Sequence, residues 1–185
     1  DHPSVRIVWG MDWETLAIWL AAGVSTSMLG FSATAQEAVI GDYQPSGPWT
    51  VDYADDSCAL QRVFSNQTQS VFLELRQFEP GGGLRFTILS LDLPVLAVRP
   101  RYWVGSPEET YPAGPFISIE TADLGSGIVF YSEAGIPLGD NLAAVSMGFE
   151  RAFEMPVALR TEQLEEAVSA LEVCSDELIQ HWGLD

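Results

Sequence analysis

The segment Pro48–Phe64 restricts this chain more than any other. It holds two runs, Trp49–Tyr53 and Cys58–Phe64, whose residues fall on alternate faces, and Asp55-Asp56-Ser57 separates them. Period two is the repeat of a strand with one buried face. Asp and Ser favour the turn because their side chains bond the nearby backbone. Cys58, one of only two cysteines, sits just past that turn. A lone hairpin is at best marginally stable in water, so the rest of the chain must supply more sheet.

It does. Val71–Arg76 and Leu84–Leu91 flank Glu79-Pro80-Gly81-Gly82-Gly83, the strongest turn signal in the sequence. Residues 49–91 therefore read as a four-stranded meander. Further strands are expected over 98–104, 116–120, 128–132, 143–149 and 156–159, with loops over 105–114 and 134–141. Thr161 is placed to cap a helix, with Glu162, Glu165 and Glu166 in its first turn. Leu164, Ala167, Val168, Leu171, Cys174, Leu178 and Trp182 then follow helical spacing. Ser175-Asp176-Glu177 would equally cap a second helix, so one helix or two remain open. The fold class is mainly β (α+β): an antiparallel β-sandwich or open barrel closed by a C-terminal amphipathic helix.

The N-terminus has a different character. Leu16–Phe31 is largely apolar and is followed by Ala33-Thr34-Ala35, the form of a secretory signal peptide cut before Gln36. Asp12 and Glu14 make its first part atypical. A retained membrane anchor and a buried helix are the alternatives, but the apolar run is short for a span and Ser25, Thr26 and Ser27 interrupt it. The expected organisation is a leader over 1–35, a linker over 36–48 with Gly41, Pro45, Gly47 and Pro48, and one β-rich domain over 49–185. Localisation is then periplasmic or secreted, without stable membrane association once the leader is removed. In an oxidising compartment Cys58 and Cys174 are expected to form a disulfide, Cys174 lying on the helix's apolar face. Two buried free thiols are the alternative.

Charge narrows the partners. The 185 residues carry 26 acidic side chains against 8 basic ones, all arginine, for a formal net charge of −18. Asp1, Asp12, Glu14 and Arg6 are the only charges before Gln36, so the acidity belongs to the domain. Nucleic acid is excluded as a partner, because basic groups supply the attraction to phosphate. A basic protein or a small ligand fits better. Without lysine there is no Schiff-base chemistry and no P-loop.

No motif specifies catalysis or a cofactor. Cys174 and His181 lie two turns apart on the predicted helix, ~10 Å along its axis, too far for a catalytic pair. Asp52, Asp55 and Asp56 offer hard oxygens for Ca²⁺, but the EF-hand pattern is missing and turn carboxylates are the better reading. Glu108-Glu109 is an acid pair of the kind glycoside hydrolysis uses, set in a Pro-containing loop where solvation explains it equally well. Arg99, Arg101, Tyr102 and Trp103 form the one cluster of basic and aromatic residues, suited to an anionic or planar group through arginine's fork and an aromatic face. Internal salt bridges to the many carboxylates are the competing use of those arginines.

Two pieces carry a family likeness. Trp49-x-Val-x-Tyr-x-Asp-Asp-x-Cys58 and Cys174-x-x-x-Leu-x-x-x-Trp182-Gly-Leu-Asp185 resemble uncharacterised exported proteins of Gram-negative bacteria. Some of those continue into a TonB-type C-terminal domain, a module not present up to Asp185. The chain is also distantly similar to the invasion-associated locus B proteins, which implies an exported β-sandwich. Neither resemblance implies an active site. The expected function is an exported binding or interaction domain. A small secreted hydrolase using a carboxylate pair and an acidic, inhibitor-like binder of a basic protein are the alternatives.

Overall fold

The computed structural model describes residues 41–79, 82–132 and 146–183. The leader over 1–35, the Pro80-Gly81 tip of the meander's turn and the loop over 134–141 lie outside them.

The meander forms as its alternation requires. Strands β2 (Thr50–Tyr53), β3 (Cys58–Ser65), β4 (Ser70–Gln77) and β5 (Leu84–Ser90) pair in sequence, each antiparallel to the last. Inward-facing Cys58, Leu60, Phe64, Val71, Leu73, Leu75, Phe86 and Ile88 are all fully buried. Two residues break the binary rule. Arg62 faces inward with Leu60 and Phe64, and Glu74 is buried on the outward face.

Part of the expected linker is sheet. Within it, Gly41–Pro45 forms β1, and this strand joins two sheets. Its first half, Gly41–Tyr43, runs parallel to β11 (Val157–Arg160), and its second half, Gln44–Pro45, runs antiparallel to the end of β3. Tyr43 is fully buried, which explains why so short and glycine-containing a run still forms a strand. Its alternation covers too few residues to show above the Gly and Pro signals.

Beyond β1, one sheet continues through β11 and β10 (Ser146–Glu150) to β6 (Arg101–Val104) and the two-residue β7 (Tyr111–Pro112). The other continues from β3 through β4 and β5 to β9 (Gly125–Ser132) and β8 (Phe116–Thr121). Strand β6 is shorter than the expected 98–104 run, and β7 lies inside the segment expected to be loop. Residues 143–145 of another predicted strand lie outside the described residues. The result is a mainly β, open barrel. Its far sides come together where Ala113 donates to the Pro100 carbonyl and Gly114 to the Tyr131 carbonyl.

A single helix α1 (Leu164–Trp182) closes the opening, without a break at Ser175. Ser175 Oγ instead donates within the helix to Leu171 O and across to Gln77 Oε1, so its hydroxyl is satisfied without starting a new helix. Thr161 is not the cap: Gln163, left-handed at φ 61°, occupies that position without a side-chain cap bond. Leu164, Ala167, Leu171, Cys174 and Leu178 face the core. Cys174 is bonded to Cys58, tying the helix to β3. Trp182 Nε1 donates to Asp55 O at the first turn. The helix is amphipathic, and among the described residues no helix is long and apolar enough to cross a membrane.

Candidate functional site

Within β6 the four residues Arg101–Val104 alternate in direction. This separates the cluster that looked continuous in sequence. Tyr102 points into the barrel and is 2% exposed, packed on Phe86, Phe130 and Tyr111 with ring centroids 5.3, 5.5 and 5.6 Å away. Arg101 and Trp103 lie on the other face. Trp103 is buried across Gly148, where a Cβ would fall 2.0 Å from the indole, so only glycine fits beneath that ring. Arg101 donates from Nε to Thr110 Oγ1 at 2.9 Å and from Nη2 to the same hydroxyl and to Thr110 O. Of the four expected residues, Arg99 and Tyr102 therefore line one cleft, and Arg101 and Trp103 lie outside its lining.

Those two line a cleft of 430 Å³ at the seam of the barrel, together with Tyr111, Pro112, Ala113, Gly114, Pro115, Tyr131 and Ser132. Three tyrosines thus meet one arginine. The Tyr102 hydroxyl and Ser132 Oγ lie 2.7 Å apart and pair with each other. The Pro112–Pro115 wall is stiff, because proline fixes φ. It is also held close: Gly114 N donates to Tyr131 O, and a Cβ on Gly114 would sit 2.5 Å from that oxygen. Arg99 is exposed and, among the described residues, makes no hydrogen bond or ion pair. A free guanidinium offers a planar fork for a carboxylate or phosphate, and tyrosine faces accept a flat group beside it.

Among the described residues Arg62, Arg76, Arg85 and Arg160 are engaged, while exposed Arg151, like Arg99, has no ionic partner. On the outward face of β3–β5, Glu74 accepts from Arg76 Nη2 at 3.0 Å, Arg85 Nη2 at 3.0 Å and Gln61 Nε2 at 3.0 Å. Thr87 Oγ1 is 3.4 Å from its carboxyl. Burial opposes the charge on Glu74, but the hydrogen bonds from Arg76, Arg85 and Gln61 and the charge of Arg76 outweigh it and hold the carboxyl below the usual glutamate range. The Glu74 bond raises Arg76 in turn. Arg62 donates from Nε to Gly47 O at 2.7 Å and from Nη1 to Glu162 O at 2.7 Å, and its guanidinium lies 5.3 Å from the Trp49 ring centre. Arg160 pairs with Asp42 at the surface.

The acidic candidates do not gather. Asp52 lies on β2 with its carboxyl 3.6 Å from Arg76 Nη2, Asp56 Oδ1 accepts from Ser57 Oγ, and Asp55 contributes only its backbone oxygen to Trp182. Among the described residues no group of three His, Cys, Asp or Glu side chains is placed to hold a metal ion. Asp52 and Asp56 thus each have a protein partner, Arg76 and Ser57. Glu108 and Glu109 are exposed and outside the cleft's lining. Glu74 is the only buried carboxylate among the described residues, and two arginines hold it. His181 lies in the last helical turn, and Cys174 is in the disulfide, so they form no catalytic pair.

Sequence reading missed Tyr111, Tyr131 and Ser132. Tyr111-Pro112 and Gly114-Pro115 did signal a rigid turn beside an aromatic residue, but nothing local shows that β9 lies opposite. Comparison of the chain with family models, with curated proteins and with solved structures gives no match.

Proposed function

We propose that this protein is an exported, non-enzymatic binding domain whose cleft takes a small ligand with a flat body and an anionic group. One observation carries the reading. In a chain with 26 acidic residues, Arg99 stands without an ionic partner among the described residues, at a cleft lined by three tyrosines. Arg76, Arg85 and Arg160 each pair with a carboxylate, whereas Arg99 is turned to the cleft. Export rests on the leader's composition, and the Cys58–Cys174 bond accords with an oxidising compartment. Arg99 supplies the anion contact, Tyr111 and Tyr131 supply faces, and the Tyr102–Ser132 hydroxyl pair closes the cleft floor.

Phenyl phosphate, benzoate and neutral benzamide test this by chemical-shift titration. The two anions shift the amide signals of Gly114, Tyr131 and Ser132, benzamide does not, and Arg99→Ala removes the response while leaving the spectrum folded. Equal response to benzamide, or a response unchanged in Arg99→Ala, overturns the reading.

A further inference from the structure

A second binding feature adjoins the cleft, where the chain passes from Pro115 into β8 along the same edge of β9. Strand β8 (Phe116–Thr121) ends one sheet, and one of its two edges pairs with β9. Its other edge has no partner strand among the described residues. Each free edge presents a row of backbone donors and acceptors. Folded proteins blunt such edges by shortness, by lysine or proline, or by a covering element. The other ends of this barrel follow that rule. Strand β7 has two residues, and β2 lies under α1, whose Trp182 bonds Asp55 O just beyond it. Strand β8 has six residues, Phe-Ile-Ser-Ile-Glu-Thr, with neither lysine nor proline inside it. Its composition is strongly β-forming, so the free edge is held in extended geometry.

The surface beside this edge is also apolar. Ile117 pairs with Val129, and Ile119 with Gly127, on the outward face. Ile117 is 37% exposed and Tyr131, further along that face, 36% exposed. A strand added to β8 would set every second side chain beside Ile117 and Ile119.

Charge selects the occupant. Exposed Glu120 and Asp123 lie at the Thr121 end of the strand. Gly125 brings that end against Ser90 and Leu91, next to exposed Asp92. No described arginine accompanies them: Arg76 and Arg85 sit at the opposite ends of β4 and β5. A second copy of this chain would bring −18 against −18, which disfavours self-pairing. We infer that β8 is a strand-addition site for an extended segment of another protein that alternates β-branched apolar residues with basic ones, its basic residues placed toward Glu120 and Asp123.

The test uses the whole protein and three capped peptides of ~8 residues, a length that covers the strand. The first alternates valine with arginine, the second valine with glutamate, and the third is the first with N-methyl groups on the residues facing β8. Hydrogen exchange of the β8 amides is the readout. The basic peptide is expected to bind and to slow exchange at alternate residues of 116–121. The acidic and N-methylated peptides are expected to do neither. Glu120→Arg should weaken the basic peptide about tenfold or more at low salt, the scale of electrostatic steering. The same variant leaves the phenyl phosphate titration unchanged, so a loss confined to the peptide reports β8 and not the cleft. Binding without protection of β8, equal binding of the N-methylated peptide, or no binding of the basic peptide at low salt overturns the inference.

Discussion

On the outward face of β3–β5, Glu74 draws Arg76 and Arg85 into one buried network, while at the seam between β6 and β9 Arg99 stands beside three tyrosines without an ion pair among the described residues. Both regions combine arginine with an otherwise acidic chain. In the first, two guanidiniums have a carboxylate made scarce by burial, and Phe78 lies 5.2 Å from Arg85. In the second, the described residues that line the cleft beside Arg99 are neutral, and the buried tyrosine's hydroxyl is already paired with Ser132. The difference separates an arginine that holds the sheet together from one that remains available to a ligand. It also explains why counting charges cannot find the site. The protein has a large excess of acid, yet local geometry decides which arginine is neutralised.

If the β3 side is the structural half, the largest stability loss follows from untying it. Replacing Cys58 and Cys174 together by alanine opens a loop spanning 116 positions and is expected to cost about 4 kcal/mol, the scale for long loops. Urea unfolding of both proteins measures this. A loss under about 1 kcal/mol would make the helix self-sufficient on the sheet and weaken the contrast.

Next in size is Glu74→Ala, which leaves Arg76 and Arg85 without their shared acceptor and is expected to cost about 3 kcal/mol. The surface pair Asp42–Arg160 is the control, and Arg160→Ala should unfold with the parent protein. Glu74 also gives a pH signature. Its carboxyl is depressed in the folded state, so its contribution is fully present above the ordinary glutamate value of 4.5 and disappears as pH falls through the lower folded value. The stability gap between the parent and Glu74→Gln should therefore narrow on acidification below pH 4.5. A gap constant across that range would show that the carboxyl's charge is not what the arginines hold.

On the cleft side the effects on stability are smaller. Tyr102→Phe removes the hydroxyl paired with Ser132 and keeps the ring stack, at an expected cost of about 1 kcal/mol. Arg99→Ala comes last, with a change in stability under about 0.5 kcal/mol together with loss of anion binding. An Arg99→Ala variant that unfolded easily would place Arg99 with Arg76 and Arg85, and the comparison would collapse.

The alternation from Trp49 to Leu91 fixed the meander's four strands, their order and their faces. Helical spacing from Leu164 to Trp182 marked a C-terminal helical segment and turned Cys174 inward, while the structure decided that it is one helix. Both signals are local: period two and period 3.6 are set by backbone geometry, and burial of one face enforces them over many residues. The two cysteines could be paired because the chain holds no others.

Tertiary structure decided the rest. Gly41–Pro45 became a strand because β11 and β3 supply its partners, and neither partner is visible in five residues containing Gly and Pro. Gln163 rather than Thr161 preceded the helix. The cluster Arg99–Trp103 was split by a strand's own period, with Tyr102 inward and Arg101 and Trp103 outward. The cleft then drew Tyr131 and Ser132 from a strand twenty and more positions away. Side-chain chemistry and local periodicity are written along the chain. Which strand edge stays unpaired, and which arginines pair with acids, depend on distances between segments remote in sequence, and only the folded barrel sets those distances.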